Sequence, residues 1–305
     1  MRITRTLAAV AATTVVLGLG ACGQEGSPGA AAPGGGSTDG SAVEAPEYEV
    51  AEDVELPDSP TYRKMVEEGG PTIGVKVDQP GLGLQPPGAD APEGFDVEIA
   101  KLVAADLGFA PEDITWVETV SANREQFLEN GTVDLVVATY TINDERKQAV
   151  DFAGPYYVAG QDLLVAADDD SINGPDDLAG KTVCSVTGST PAQRIEEEFP
   201  DTQLVPLGGY AECVEQLTGG QVDAVTTDDA ILRGYAAQQP DQLRVVGGAF
   251  SEEPYGIGMP LGDTALRDFV NDSLEAAAED GRWDAAFTYT LGDSDGVEPP
   301  AVDRY

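Results

Sequence analysis

Apolar residues run along the chain in blocks cut by glycine, and the period of the blocks alternates. Residues 71–77 read as a strand. Phe95, Ile99, Leu102, Val103 and Leu107 then repeat at helical spacing until Gly108 stops them, and residues 114–117 read as a second strand. A helix over 122–130 ends at Gly131, and the nearly all-apolar stretch 133–138 has the look of a strand buried on both faces of a parallel sheet. A short helix over 143–149, capped by Asn143, follows. Residues 152–160 break the alternation and read as the approach to a crossing between domains.

Beyond that break the rhythm restarts. Strands are expected at 162–166, 181–186, 204–206, 222–226 and 243–246. Helices are expected near 175–178 and over 191–199, 210–217 and 229–237. Residues 255–259 read as a return crossing, and a helix over 263–280 with a shorter one near Trp283 is expected to pack back on the first domain. Such alternation predicts an α/β class.

One unit occurs twice. Gly131-Thr132-Val133-Asp134 opens a strand that leads on to Arg146, and Gly220-Gln221-Val222-Asp223 opens one that leads into Asp228 and Asp229. Ligands of open α/β sheets bind outside the C-terminal ends of strands. A guanidinium there in one copy and carboxylates in the other suit a small zwitterion held between two similar domains, an α-amino acid above all.

The chain has 305 residues, enough for two compact domains. Residues 1–22 read as a secretion signal: Arg2 and Arg5, an apolar run from Leu7 to Leu19 too short for a comfortable membrane span, then Leu19-Gly20-Ala21-Cys22. The last four residues resemble a bacterial lipobox, which implies cleavage before Cys22 and a diacylglycerol on its sulfur. From Gly23 to about Pro46 the chain is mostly Gly, Ala, Ser and Pro, and a flexible tether is expected, extended to residue 58 in the domain division. With Cys22 assigned to lipid, Cys184 and Cys213 remain as an even pair in an exported chain, and a bridge between them is favoured over two thiols. A net charge of −39 argues against nucleic acid as a partner. With no histidine and no Cys-x-x-Cys, neither a metal nor a cofactor is expected.

Against so acidic a background each Lys or Arg near a strand end is informative. Arg146 can hold a carboxylate through two charge-assisted bonds, or can merely pair with Asp144 or Glu145 on the surface. The small-residue loop Thr187-Gly188-Ser189-Thr190-Pro191, with Thr190 as cap and Pro191 opening a helix, leaves backbone N–H groups for an anion or simply caps the helix. Asp228 can accept from an ammonium group; Asp229 competes with it, and either suits the N-cap of the next helix. Lys76, and Arg124 in Ser121-Ala122-Asn123-Arg124, would give the pocket a surplus of positive charge that a second ligand carboxylate would explain; both also fit the rim.

These residues carry a resemblance. Gly94-Phe95-Asp96-Val97, Ser121-Ala122-Asn123-Arg124, the run from Thr141 to Arg146 with Val150-Asp151-Phe152, the loop at 187–191 and Thr227-Asp228-Asp229-Ala230 resemble bacterial extracellular solute-binding proteins of family 3, most of all actinobacterial glutamate binders. The likeness spans about residues 72–292. It implies a two-lobed, periplasmic-binding-protein-like (type II) α/β fold with two hinge crossings, near Tyr157 and Glu253. Lobe 1 would comprise 59–157 plus 256–305 and lobe 2 would comprise 158–255. It implies that Arg146, Thr141 and Thr190, with Ser189 beside them, hold an α-carboxylate; that Asp228 and Thr139 receive the ammonium; and that Arg124, Ser121 and Lys76 meet a side-chain carboxylate. The Cys184–Cys213 bridge also matches relatives.

The function so implied is that of a lipoprotein on the outer face of the cytoplasmic membrane. It would be a monomer and not an enzyme, delivering glutamate or another acidic amino acid to an ABC permease. Glutamine or another polar amino acid, a dehydratase-like enzyme and a sensor on the same fold are the alternatives.

Overall fold

The computed structural model describes residues 43–292 and 296–305. The secretion signal, Cys22 and residues 23–42 of the expected tether lie outside them. The tether does not extend to residue 58. Tyr48, Val54 and Leu56 pack against the main core, the Tyr48 hydroxyl donates to Glu98 at 3.1 Å, and the Ala51 N–H donates to the Ala105 carbonyl at 2.9 Å. These large apolar side chains supply what the Gly/Ala/Ser tract lacks: surface worth burying. A helix without a counterpart among the sequence expectations, α1 (Pro60–Glu68), follows, with the Ser59 hydroxyl capping it.

The chain then forms β1 (Thr72–Val75), a small hairpin β2 (Asp78–Gln79) and β3 (Gly83–Leu84), α2 (Phe95–Asp106), β4 (Thr115–Glu118), α3 (Arg124–Glu129), β5 (Leu135–Val136) and β6 (Val150–Ala159). After Gly160 come β7 (Gln161–Ala166), β8 (Thr182–Val186), α4 (Thr190–Glu198), β9 (Gln203–Leu207), α5 (Tyr210–Thr218), β10 (Ala224–Asp228), α6 (Asp229–Gln238) and β11 (Leu243–Val245). The chain closes with β12 (Glu253–Pro260), α7 (Thr264–Asp280) and α8 (Arg282–Leu291).

Two five-stranded sheets carry these elements, ordered β4-β1-β5-β12-β6 and β11-β7-β10-β8-β9. Each is built around three parallel strands, β4-β1-β5 in one and β9-β8-β10 in the other, and each continues with antiparallel strands on one side. The duplicated sequence unit is duplicated in space. Asp134 bonds Thr72, its N–H donating at 2.7 Å and its Oδ2 accepting at 2.8 Å. Asp223 bonds Thr182 in the same way, at 2.7 Å each. Gly131 and Gly220 before them share a left-handed φ of 67°. The repeated Gly-x-Val-Asp thus docks a third parallel strand against a first, once in each sheet.

The segments expected as crossings are strands of the first sheet. β6 and β12 pair antiparallel from Glu253 opposite Ala159 to Pro260 opposite Val150. The passages between sheets are Gly160 and the stretch between β11 and β12. The C-terminal helices return to the first sheet as expected: Phe95 meets Trp283 and Phe287, both at ring-centroid distances of 5.5 Å. In the second sheet Cys184 on β8 is bonded to Cys213 on α5.

Candidate ligand site between the two sheets

Beyond β5 the backbone turns sharply. Thr139 takes φ 44°, a left-handed conformation that a β-branched residue adopts only under constraint. The constraint is Asp96 in the first turn of α2. Its Oδ2 accepts from the Thr139 N–H at 2.8 Å and its Oδ1 from the Tyr156 hydroxyl at 2.7 Å. Burial raises the Asp96 carboxyl to about 6 in spite of these donors. Asp96, quoted in the Gly-Phe-Asp motif without a role, therefore fixes the turn that presents the next carbonyls.

Those carbonyls face Arg124. Its Nη1 donates to the carbonyls of Ala138 and Thr139, both at 3.2 Å, and its Nε to the Ser121 carbonyl at 3.2 Å. Lys76, at the end of β1, donates to the Ser121 hydroxyl at 2.8 Å. Both cations are buried, and neither forms an ion pair among the described residues. Burial and the neighbouring Arg124 charge bring Lys76 down to about 7. Burial and Arg146 bring Arg124 down to about 10. Arg146 donates to the Thr141 carbonyl at 2.7 Å, and its Nε lies 3.5 Å from the half-buried Glu125 carboxylate. The Asn143 side-chain Oδ1 accepts from the Arg146 N–H at 2.8 Å, and the expected helix here is a single 3-10 turn, Arg146–Gln148. Both guanidinium carbons stand over the Tyr140 ring, at 4.2 Å for Arg124 and 5.0 Å for Arg146.

The second sheet meets these cations through one loop. The Gly188 carbonyl accepts from Arg124 Nη2 at 3.2 Å and from Arg146 Nη2 at 3.1 Å. A Cβ on Gly188 would lie 2.8 Å from the Ala122 Cα, so no side chain fits. The cap of α4 is Ser189, not Thr190. Ser189 has extended backbone and its hydroxyl accepts from the Ala192 N–H at 3.1 Å, whereas Thr190 is the first helical residue. The Thr190 hydroxyl is consequently turned elsewhere: it lies 3.3 Å from that of Thr141 and donates to Glu253 at 2.7 Å.

The acidic pole stands at the end of β10. Asp228 is buried, its Oδ2 accepts from the Tyr255 hydroxyl at 2.7 Å, and its Oδ1 has no partner among the described residues. Burial, with Glu253 nearby, pushes its carboxyl up to about 7. Asp229 is committed elsewhere: one oxygen pairs with Arg233 at 2.8 Å and the other accepts from the Gly160 N–H at 3.3 Å. Between the two candidate acids, only Asp228 retains an unused buried oxygen. The Thr141–Tyr255 bridge ties this pole to the basic one.

The structure thus gathers Lys76, Ser121, Arg124, Thr139, Thr141, Arg146, Thr190 and Asp228 into one linked set, and Ser189, whose hydroxyl caps α4, lines the opening beside Arg146 and Gly188. Openings lie on either side of the basic pole. One of about 270 Å³ is bounded by Lys76, Thr119 and Tyr210, the other of about 560 Å³ by Ser121, Arg146 and Gly188. Sequence reasoning assigned no role to Tyr140, Glu253 or Tyr255. Tyr140 lies between Thr139 and Thr141, both named as candidates, and an aromatic between two arginines was a usable signal. Glu253 and Tyr255 fell in a segment read only as a crossing.

Comparison with known proteins agrees with this arrangement. Residues 72–292 match the family model of bacterial extracellular solute-binding proteins, family 3. The chain is 45% identical over 242 residues to the glutamate-binding protein GluB of Corynebacterium efficiens, covering 76% of this chain and 82% of that one. It is 40% identical over 216 residues to the glutamine-binding protein GlnH of Bacillus subtilis, covering 70% and 78%. Among solved structures, an ancestral arginine-binding protein bound to glutamine superposes with a TM-score of 0.69 at 32% identity, covering 74% of this chain and 99% of that one. The two sheets are the two lobes of the periplasmic-binding-protein fold, and the chain belongs to the bacterial extracellular solute-binding proteins of family 3.

Proposed function

We propose that the protein binds an acidic amino acid, glutamate, between its lobes and delivers it to a membrane ABC permease. It does so as a monomer anchored through lipid on Cys22 at the outer face of the cytoplasmic membrane. The observation that carries this reading is the imbalance of charge in the site. Among the described residues Lys76 and Arg124 are buried without a carboxylate partner, in a protein of net charge −39, while Asp228 keeps a buried, unpartnered oxygen. Burying charges without partners is costly, and a ligand of opposite charges relieves both poles at once.

In this reading Arg146, Thr141 and Thr190 hold the α-carboxylate, with Ser189 shaping the helix start beside them. Asp228 and Thr139 take the ammonium, and Arg124, Ser121 and Lys76 take the side-chain carboxylate. Lobe 1 comprises 59–159 plus 253–305, the expected spans 59–157 and 256–305 lengthened to the ends of β6 and β12, together with the packed segment from Val43, and lobe 2 comprises 160–252. The likeness to GluB supports glutamate. The likeness to GlnH is the observation that favours a second reading, in which glutamine is the ligand and Lys76 donates to its amide carbonyl. Calorimetry against a panel of amino acids tests both. Tight binding of glutamate with weak binding of glutamine supports the first, and the reverse order overturns it.

A further inference from the structure

The β2–β3 hairpin is fastened to lobe 1. The Phe95 and Asp96 N–H groups at the start of α2 donate to the Gly81 and Leu82 carbonyls at 2.9 and 3.0 Å. Yet its outer side is gripped by lobe 2. Asp78 Oδ2 accepts from the N–H groups of Tyr210 and Ala211, in the first turn of α5, at 2.8 and 3.3 Å. The Tyr235 hydroxyl on α6 donates to the Asp78 carbonyl. A Cβ on Gly209 would lie 2.8 Å from Asp78 Oδ2, and a Cβ on Gly234 only 2.3 Å from the Pro80 carbonyl. Gly234 sits in the interior of α6, where glycine is a poor helix former; the close approach of the hairpin backbone accounts for it.

We propose that the hairpin is a latch between the lobes, a positioning element that sets how much of the solute-free protein is closed. The first-turn N–H groups of α5 have no partner within their own helix, and a carboxylate at that end is favoured by the helix dipole. Asp78 satisfies them only when the lobes meet. Asp78 lines the same opening as Lys76; loosening the latch at Gly234 or Tyr235 leaves that carboxylate in the chain, so it changes the closed fraction and not the choice of ligand. Apparent affinity scales with the fraction of competent protein, and every ligand is affected by the same factor.

Gly234→Ala in the full chain is the test, because alanine strengthens α6 while driving the Pro80 carbonyl away. Tyr235→Phe is the second variant, removing one latch bond without touching a charge. Small-angle X-ray scattering of the solute-free protein reads closure, and rapid-mixing kinetics read dissociation of glutamate and glutamine. The affinity arm rests on the proposed function; the scattering arm does not. Gly234→Ala is expected to enlarge the radius of gyration and to raise Kd at least tenfold for both amino acids, through faster dissociation and with their ratio unchanged. Tyr235→Phe is expected to move both quantities the same way by a smaller amount, and it decides alone should Gly234→Ala melt below the wild type. An unchanged radius of gyration, a Kd within twofold of the wild type, or a changed ratio between the two amino acids overturns the latch. Failure of the wild type to bind any amino acid defeats the proposed function and leaves scattering to judge the latch.

Discussion

Tyr255, on β12 of the first sheet, donates its hydroxyl to Oδ2 of Asp228, at the end of β10 in the second, at 2.7 Å. The bond crosses from lobe to lobe and satisfies half of a carboxylate, and the other half is what an ammonium group would meet. The protonation of Asp228 therefore governs the folded protein and, in the proposed reading, its ligand.

Stability should dip near neutrality in the solute-free protein. Asp228 and Asp96 are raised from 3.8 to about 7 and about 6. The folded chain then holds protons that the unfolded chain has released, and stability present below about pH 4 is lost as pH climbs toward 7. Lys76 is lowered from 10.5 to about 7, so its contribution is present above pH 10.5 and is lost as pH falls toward 7. In the proposed reading glutamate supplies the missing partners for Asp228 and Lys76. The rise in Tm that saturating glutamate produces is expected to peak near pH 7 in thermal melts from pH 5 to 9. A rise that grows steadily toward either end of that range would contradict the assigned poles.

The two arginines should separate the two ends of the ligand. Arg146→Ala is expected to weaken glutamate and glutamine alike, on the order of 2 kcal/mol or roughly thirtyfold, as losing a buried charge-assisted contact does. Arg124→Lys keeps a charge at the site but loses the planar fork, and is expected to weaken glutamate more than glutamine. Calorimetry on both variants checks this, and equal losses for the two ligands in Arg124→Lys would remove the side-chain role.

Reducing the Cys184–Cys213 bond frees a loop of sequence separation 29. A loss of roughly 3 kcal/mol is expected from restored chain entropy. That corresponds to a fall in Tm of roughly 6–12 °C, at 2–4 °C per kcal/mol for a domain of this size. Calorimetric scans with and without reductant measure it, and an unchanged Tm would show that the bridge is energetically idle.

Association with glutamate should accelerate modestly with added salt. The chain carries a formal net charge of −39, and screening weakens the repulsion of an anion by its acidic surface. Stopped-flow rates at rising ionic strength check this; a steep fall would mean that the basic pole steers the encounter.

Much of this was legible in the sequence because the repeated unit encodes a repeated contact. Asp134 and Asp223 look alike in sequence because each closes the same pair of bonds onto a first strand. The opposite charges delivered beyond those strands could be read from the same register. What escaped notice had no periodicity to show. The hairpin strands at Asp78 and Gly83 are two residues each. The long pairing of β6 with β12 joins segments about a hundred residues apart in the chain and interrupted by Gly154, Pro155 and Gly256. The strand expected over 133–138 is only Leu135–Val136, because the left-handed turn at Thr139 draws the chain out of the ladder early. Ser189 displaced Thr190 as a cap by one position, which single-residue preferences cannot resolve.

The ladder that joins Ala159 to Glu253 has a mechanical meaning. Both routes by which the chain travels from one half to the other depart from neighbouring rungs of a single ribbon, so neither can yield while the other stays rigid. The halves must pivot about one shared axis, like a book on its spine. Such a joint admits open and shut but resists sliding or twisting, and capture of a solute should register as one concerted step rather than a sequence of partial engagements.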